Sequence, residues 1–494
     1  MKFATPESKG ISSASIRTFV ERLNKREINM HSVLMMRGDS IIYEGYWAPF
    51  NKDFNHRMYS VTKSFVSVAI GLCVEDGLIS LDDKIIDHFP EKIDTEINEY
   101  LTRQTIREML TMTTTCSPCS WFSETDIDRT HLYFTKKGYR RPSGTIWEYD
   151  SAASQVLASL VEKVTGKRLF DYLNERIFTH LGTFKNAKIL QTPNGDSWGD
   201  SAMICTARDL ASFARFVMNY GTHNGKRLMN EEYLKAATSK QVDNRWNAYM
   251  HAFRHGYGYQ IWKGPEDSFA FVGMGDQLAL CIPKYDFIFC CNGDNQGNEP
   301  ARDYIIYQLF DNVIEQICNE PIEENSIEQE KLAELTASLK LYSLNGKSDS
   351  PWREKIEGKT YVCPPNEMDL AEFSFYFEGA EGGILSYERG GRRMELPFYI
   401  NKNRFGYFPE LGYAKERGRV RTTDGHVYKD AVSAAWLQDN KLMLFVQIID
   451  EYFGNASLTF AFKNDEATVL FHKMAEDFLW GYDGQVGAKL KKSD

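Results

Sequence analysis

The character of the sequence changes once, near residue 318, and this change sets the number of domains that the chain can form. Residues 1–318 alternate helical and strand patterns, whereas residues 350–494 contain short strand-like runs. Residues 319–349 are rich in Glu, Lys, Asn and Ser, with one short amphipathic pattern at Ile327–Leu339. This composition is typical of a linker that carries one helix. We therefore expect an N-terminal domain, a linker and a C-terminal β-rich accessory domain.

The C-terminal part has the spacing of an antiparallel β structure. Its apolar runs include Phe373–Phe377, Arg404–Phe408, Lys441–Val446 and Ser457–Phe462. Gly, Asn and Asp turns separate these runs at hairpin spacing. Residues 350–494 are therefore expected to form an antiparallel barrel or sandwich.

The N-terminal part begins and ends with strands and has helices between them. His31–Met36 and Ile41–Tyr46 flank a short polar turn, which predicts an early hairpin. Ser154–Val164 carries apolar residues at helical spacing and is followed by Gly166, a typical helix stop. Later strands are predicted at Tyr257–Trp262, Leu278–Ile282 and Phe287–Cys291.

The composition limits the kinds of partner. Of 494 residues, 43% are hydrophobic, which is enough for one large or two ordinary cores. Lys and Arg total 58 against 68 for Asp and Glu, and the basic residues form no run. We therefore expect neither nucleic acid nor an anionic membrane as a partner.

The longest apolar stretch, Phe65–Val74, is too short to cross a bilayer. It is about half the length of the roughly 20 residues that a membrane-spanning helix needs, and Ser67 interrupts it. The first residues have neither an apolar core region nor a small-residue cleavage site. We expect a cytoplasmic protein, although a chain that had lost a leader would look the same.

Ser60 and Lys63 form a Ser-x-x-Lys pair at the start of this apolar helix. Residues three apart lie on one helix face, so the amine can reach the hydroxyl. A Lys whose pKa is lowered by burial can activate a Ser nucleophile, and the helix N-terminus favours a developing anion. Because the pair also occurs by chance, a helix cap with a surface Lys stays an alternative at this point.

Tyr149 and Ser151 form a Tyr-x-Ser pair just before the helix predicted at Ser154. A phenol beside an ammonium group can have a lowered pKa and can act as a second base and proton shuttle. The alternative is a core aromatic residue beside a helix cap.

Two glycines, Gly273 and Gly275, lie in the run from Phe271 to Gln277, just before the strand at Leu278. Glycines in a strand allow a ligand to approach the backbone closely. A β-bulge or a tight turn is the alternative.

No metal site or disulfide framework is predicted. Nine cysteines show no regular spacing, and the Cys116-x-x-Cys119 motif has no second pair at zinc spacing, so we interpret it as a plain loop. His251 and His255 lack a third ligand at a suitable spacing, and the Asp294–Glu299 segment lacks the last residue of a calcium loop. We expect no cofactor.

The order Ser-x-x-Lys, Tyr-x-Ser and Gly-rich strand resembles the serine β-lactamase and penicillin-binding-protein superfamily. It is most similar to class C β-lactamase-like hydrolases, which include esterases, D-aminopeptidases and nylon-oligomer hydrolases. Phrases around the motifs, among them Glu75–Asp83, Thr105–Thr114 and Thr206–Leu210, extend the resemblance over residues 4 to about 315. The resemblance implies an α+β fold, with an antiparallel sheet flanked by helices, a helical lobe and a site between them.

The resemblance also implies roles for individual residues. Ser60 takes the place of the acylated serine, and Lys63 and Tyr149 take the places of the general bases. Ser151 stands two places after the Tyr, where the family has Asn or Ser. The backbone N–H groups of Ser60 and Met274 would form the oxyanion hole.

The third strand departs from the family pattern. Phe271 and Val272 stand where β-lactamases and peptidases carry Lys-Thr or His, whose polar groups hold the substrate carboxylate. We therefore assign the substrate-binding positions to Ser151, Phe271, Val272, Gly273, Gly275 and Asp276. A neutral ester or amide is expected, and Asp276 is expected to make the rim acidic and to favour an amine-bearing group.

Alternatives remain open at this point. An acyltransferase would use the same acyl-enzyme, and a D-amino-acid peptidase or a β-lactamase would share the site. A catalytically silent binding or sensor module is the alternative outside enzymes. The sequence does not predict the acyl group, the leaving group, the oligomeric state or the role of residues 350–494.

Overall fold

A computed structural model describes five stretches of the chain: residues 1–118, 127–298, 300–411, 426–474 and 481–492. They form two compact units, which divide between Lys340 and Leu341. The segment 319–340, predicted as part of a linker, belongs to the first unit. Its helix packs on the first helix of the chain, and Arg17 forms an ion pair with Glu328 at 2.9 Å.

The helices described in the first unit are α1 Ser13–Lys25, α2 Thr62–Glu75, α3 Ile106–Leu110, α4 Arg129–Thr135, α5 Ser151–Thr165, α6 Leu169–Leu173, α7 Thr179–Leu181, α8 Ala207–Met218, α9 Glu231–Thr238, α10 Pro300–Asn312 and α11 Ser326–Ser338. The strands are β1 Lys2–Phe3, β2 Met30–Arg37, β3 Ser40–Tyr46, β4 His56–Arg57, β5 Lys188–Ile189, β6 Met203–Cys205, β7 Thr222–His223, β8 Lys226–Arg227, β9 Trp262–Lys263, β10 Phe269–Gly273, β11 Gln277–Ile282 and β12 Phe287–Gly293.

A seven-stranded sheet, in the order β1-β3-β2-β12-β11-β10-β9, organises the first unit. β1 pairs with β3 in parallel, and the other neighbours are antiparallel. The early hairpin pairs directly with a late strand. Strand β2 is antiparallel to β12, with Arg37 opposite Phe287. Strands from both ends of this unit therefore meet in the middle of one sheet.

Alternating side chains of this sheet enter two separate cores. Cys290 belongs to the core that contains α2, α5 and α8, whereas Cys291 belongs to the core that contains α1, α10 and α11. This confirms that the two adjacent cysteines point to opposite faces. Both faces of the sheet are therefore covered by helices.

Helix α2 is buried along almost its whole length, as its apolar sequence predicts. Gly71 allows the close packing, since a Cβ atom there would lie 2.2 Å from Cε of Met229. Helix α5 is capped at its start by Asp150 and ends at Gly166, whose φ of +66° is left-handed. These two helices carry the motifs of the predicted site.

The described residues of the second unit form a short helix, α12 Arg353–Ile356, and ten strands: β13 Thr360–Val362, β14 Leu370–Glu378, β15 Gly382–Arg389, β16 Arg392–Ile400, β17 Arg404–Leu411, β18 Val427–Gln438, β19 Lys441–Ile449, β20 Phe453–Lys463, β21 Glu466–Lys473 and β22 Gly484–Leu490. A parallel pairing of β16 with β18, at Tyr399–Ser433 and Ile400–Ala434, closes nine of these strands into a barrel. The prediction of a barrel or sandwich is confirmed as a barrel. In the part of the chain that the structure describes, no helix is long and apolar enough to span a membrane.

Candidate active site

Ser60 and Lys63 lie where a tight turn becomes helix α2. Ser60 is in a 3₁₀ turn at Tyr59–Val61, and Lys63 is in the first turn of the helix. Lys63 Nζ donates a hydrogen bond to Ser60 Oγ at 3.0 Å. Tyr59 has a φ of +47°, a left-handed conformation that few non-glycine residues adopt. The amine and the hydroxyl are therefore in contact, as the spacing predicts.

The surroundings of Lys63 favour its neutral form. Its side chain is buried, and this loss of water lowers the pKa of the amine to about 8. The charge of Asp200 opposes this shift, and the backbone oxygen of Asp200 accepts a hydrogen bond from Nζ at 2.6 Å. Lys63 can therefore lose its proton far more easily than an exposed lysine.

Tyr149 lies beside this amine but does not have the lowered pKa expected from the sequence. Lys63 Nζ lies 5.1 Å from the centroid of the Tyr149 ring, over the ring face. Burial raises the pKa of the phenol well above its ordinary value, and hydrogen bonding with Ser60 only partly opposes this. The expectation of a lowered pKa is therefore wrong, because desolvation of the phenolate outweighs the hydrogen bond with Ser60 and the charge of Arg302.

The start of helix α5 holds Tyr149 and Ser151 on either side of its cap. The carboxylate of Asp150 accepts hydrogen bonds from the backbone N–H of Ala153 at 3.1 Å and from Thr114 Oγ1 at 2.8 Å. Ser151 is the first residue of the helix and is partly buried. Tyr149 and Ser151 are therefore the two neighbours of the N-cap residue Asp150, whose buried carboxylate fixes the start of helix α5.

The end of strand β10 passes very close to the turn before Ser60. A Cβ atom at Gly273 would lie 2.3 Å from the backbone oxygen of Met58, so no larger residue fits there without a shift. Met274 follows and its side chain is 40% exposed, and Gly275 has a left-handed φ of +72°. Gly273 therefore allows the two backbone segments to pack closely, which brings the chain at Met274 towards Ser60.

Phe271 and Val272 are core residues and do not line a binding surface. Phe271 packs against Phe213 of α8, with ring centroids 5.4 Å apart, whereas Val272 enters the core on the other face of the sheet. Their assignment as substrate contacts is therefore wrong, since both faces of β10 are covered.

Asp276 does not make the rim acidic. Its side chain is buried and forms an ion pair with Nε of Arg302 at 2.8 Å. Arg302, on α10, also donates a hydrogen bond to the backbone oxygen of Gly273 at 3.0 Å. The pair neutralises both charges, so the argument from Asp276 for an amine-bearing substrate loses its basis.

Gln260 and Asp200 approach the site although the sequence analysis did not single them out. Backbone and side chain of Gln260 bind groups on α2, α3 and α5, and the backbone oxygen of Asp200 binds Lys63. Neither belongs to a local motif, and both come from distant parts of the chain. No signal in the sequence alone could have found them.

Two cysteines, two histidines and one acidic segment also stand out in the sequence, and part of this set lies outside the described chain. Cys116 has a raised pKa because of burial, and Cys119 lies outside the described residues. His251 and His255 are exposed, and the last residue of the Asp294–Glu299 segment is not described. Within the described ranges, no group of three or more His, Cys, Asp or Glu side chains is placed to hold a metal.

Comparisons with known proteins give the family and the fold of the chain. The sequence profile described as Beta-lactamase matches residues 16–304. A 6-aminohexanoate-dimer hydrolase from Paenarthrobacter ureafaciens is 25% identical over 249 residues, which are 47% of this chain. The match spans 64% of the length of that relative.

Solved structures show the same fold. A protein from Bacillus anthracis, proposed to be a 6-aminohexanoate-dimer hydrolase, is 18% identical with a TM-score of 0.51, over 64% of this chain and 89% of that one. A penicillin-binding protein homologue from Caulobacter crescentus is 17% identical with a TM-score of 0.51, over 61% of this chain and 97% of that one. The expected β-lactamase-like fold is confirmed. Since the family profile matches more than half of its residues, the chain belongs to the beta-lactamase family.

Proposed function

We propose that the protein is a serine hydrolase that cleaves a neutral ester or amide through an acyl-enzyme on Ser60. The observation that carries the proposal is the contact between Lys63 Nζ and Ser60 Oγ at 3.0 Å, made by an amine whose pKa burial lowers to about 8. A serine needs such a base, because its hydroxyl is a weak nucleophile on its own.

The contacts support one order of proton transfers. Ser60 Oγ bonds to the substrate carbonyl carbon while its proton passes to neutral Lys63. Tyr149, whose raised pKa keeps the phenol protonated, gives its proton to the leaving group and regains one from Lys63. Water then attacks the acyl carbon and gives its proton to Lys63. As the bond between the acyl carbon and Ser60 Oγ breaks, Lys63 returns this proton to Oγ and the acid is released.

Backbone N–H groups of Ser60 and Met274 are the donors that we assign to the oxyanion. The close approach of Gly273 to Met58 supports this assignment, because it holds the two segments side by side. One such donor typically lowers the barrier by about 3 to 4 kcal/mol.

Aromatic side chains and a neutralised ion pair favour an uncharged substrate. Tyr149 stacks on Trp262 with ring centroids 5.7 Å apart, and the more exposed Tyr249 packs edge-on against Tyr149. The charges of Asp276 and Arg302 are paired with each other. Since one relative is a 6-aminohexanoate-dimer hydrolase, linear amides belong in the substrate panel beside short-chain esters.

Intact-mass spectrometry after incubation with activated esters, amides and β-lactams tests the proposal. We expect an acyl mass on the wild type and none on Ser60→Ala, with the thermal transition of the variant within a few degrees. Ser67→Ala, on the same helix, is the matched control and should be acylated normally. Labelling or turnover retained by Ser60→Ala would refute the nucleophile assignment.

The same experiment separates the alternative activities. An added alcohol or amine that captures the acyl group faster than water does would identify an acyltransferase. Absence of both acylation and turnover across the panel would instead support a silent binding module.

A further inference from the structure

We propose that Gln260 is a positioning residue. It holds helix α2, which carries Lys63 and directly follows the turn with Ser60, against the helix entry that carries Tyr149. This inference rests on the proposed function. It assigns a role to a residue outside the three sequence motifs.

Hydrogen bonds of Gln260 join three helices. Its backbone oxygen accepts from Ser64 Oγ of α2 at 2.9 Å, next to Lys63. Its side-chain oxygen accepts from Ser154 Oγ of α5 at 2.7 Å. The side-chain amide donates to the backbone oxygen of Met109 at 2.9 Å, and the backbone N–H donates to that of Leu110 at 2.9 Å. One residue therefore connects α2, α5 and the end of α3.

The conformation of Gln260 shows that these contacts outweigh a local cost. Its φ is +58°, in the left-handed region where a residue with a side chain is strained. It is also 1% exposed, so each polar group would lose a partner if the residue moved. Gln260 therefore keeps its strained conformation because its hydrogen bonds hold it in one position.

Position along the helices explains why this connection matters to the reaction. Ser64 directly follows Lys63, and Ser154 lies in the first turn of α5, which Tyr149 precedes. The proton route from Ser60 through Lys63 to Tyr149 therefore crosses the gap that Gln260 spans. A displacement of about 1 Å between reacting groups can cost about 10²-fold in rate.

A residue that only stabilises the fold would have the same burial and bonding, so the control has to match both, and Gln104 does. It is fully buried, its amide donates to Tyr133 at 2.7 Å and its side-chain oxygen accepts from the N–H of Thr115 at 2.7 Å. Neither partner lies on α2 or α5. Gln104→Ala is therefore the matched control.

Two variants test the connection in the full-length protein. Gln260→Gly removes the side chain, keeps the backbone bonds and suits the left-handed φ. Ser154→Ala removes the hydroxyl that binds Gln260 and is a smaller change, which decides the question if the glycine variant does not fold. Both are compared with Gln104→Ala for thermal midpoint, kcat, KM and the pH dependence of kcat/KM on an activated ester.

We expect loosening of the helices to admit water to Lys63 and to raise its pKa towards the ordinary lysine value. In Gln260→Gly, kcat at pH 7.5 should fall about 10- to 100-fold with little change in KM, and the rise of kcat/KM should move by about half a pH unit or more to higher pH. Part of the loss should therefore recover near pH 9.5. Ser154→Ala should shift the rise of kcat/KM in the same direction by a smaller amount. Gln104→Ala should lower only the thermal midpoint.

An unchanged pH profile in both site variants, or an equal shift in Gln104→Ala, would overturn the inference. If Ser60→Ala is inactive while Gln260→Gly behaves as wild type, this inference alone fails. If Ser60→Ala stays active, the proposed function fails and this inference fails with it.

Discussion

The protonation state of Lys63 connects its burial with the reaction proposed at Ser60. An exposed lysine would be charged at neutral pH and could not take a proton, whereas burial lowers the pKa of this amine to about 8. Tyr149 changes in the opposite sense, because burial raises the pKa of its phenol. The opposite shifts support the different roles that we propose, with the amine as base and the phenol as proton donor.

Removal of either group should slow the reaction strongly. We expect Lys63→Ala and Tyr149→Phe each to lower kcat by at least about 10², since each handles a proton in the transition state. Steady-state kinetics on one activated ester measures both. Equal losses in the two single variants and in the double variant would show that the residues act as one unit, whereas a loss below about threefold in either would contradict its role.

The pH dependence follows from the direction of the Lys63 shift. Below its pKa of about 8 the amine is charged and cannot act as a base, so kcat/KM should rise as pH increases through that value and stay high in mildly alkaline buffer. A maximum below about pH 5.5 would contradict a Lys base and indicate a carboxylate. Glu148, which is exposed and paired with Arg141 at 2.5 Å, would then be the residue to test.

At the scale of elements, the sequence predicts what is local and fails where distant parts of the chain meet. Helices α2 and α5 and strands β11 and β12 follow from periodicity, and their predicted bounds lie within the observed ones. The strand predicted at Tyr257–Trp262 is wrong over most of its length. Only Trp262–Lys263 is a strand, because the left-handed Gln260 interrupts extended backbone.

The same limit explains the site. Ser60 and Lys63 are three residues apart, so the 3₁₀ turn and the first turn of α2 bring them together. Alternation along a strand predicts that Phe271 and Val272 point to opposite faces, but not that helices cover both faces. The partner of Asp276 could not be predicted either, because Arg302 comes from a helix beyond the next two strands.

The composition of strand β10 still carries a prediction about substrates. Its buried apolar residues supply no group for a β-lactam carboxylate, whereas a small neutral acyl group needs none. We expect kcat/KM for p-nitrophenyl butyrate to exceed that for nitrocefin in the same buffer. A kcat/KM for nitrocefin that is higher by about tenfold or more would contradict this argument.

At the scale of the whole molecule, two buried histidines tie the stability of the fold to pH. His31 and His56 are 5.4 Å apart, stacked around Phe50, and burial lowers the pKa of both. The pKa of His56 falls from 6.5 to about 3. As the pH drops below 6.5, His56 becomes protonated in the unfolded chain but stays neutral in the folded protein until the pH nears 3. The free energy of unfolding therefore decreases progressively between these two pH values.

This linkage predicts acid sensitivity. At pH 5, His56 alone should reduce the free energy of unfolding by about 2 kcal/mol relative to pH 7. Urea unfolding at the two pH values should show a smaller difference for His56→Phe, which keeps a ring but cannot be protonated. His251→Phe, at an exposed position, is the control and should leave the difference unchanged. An unchanged difference in His56→Phe would contradict the assignment.

The pairing of β2 with β12 has a consequence for biosynthesis. The middle of the sheet can form only after residues 287–293 have been synthesised, because β12 is the strand that pairs with β2. At about 5 to 20 residues per second, a ribosome needs roughly 10 to 50 seconds to make the intervening chain. During that time the hairpin exposes an unpaired edge and two apolar faces. We therefore expect the yield of folded protein to depend on how fast the chain between these two strands is made.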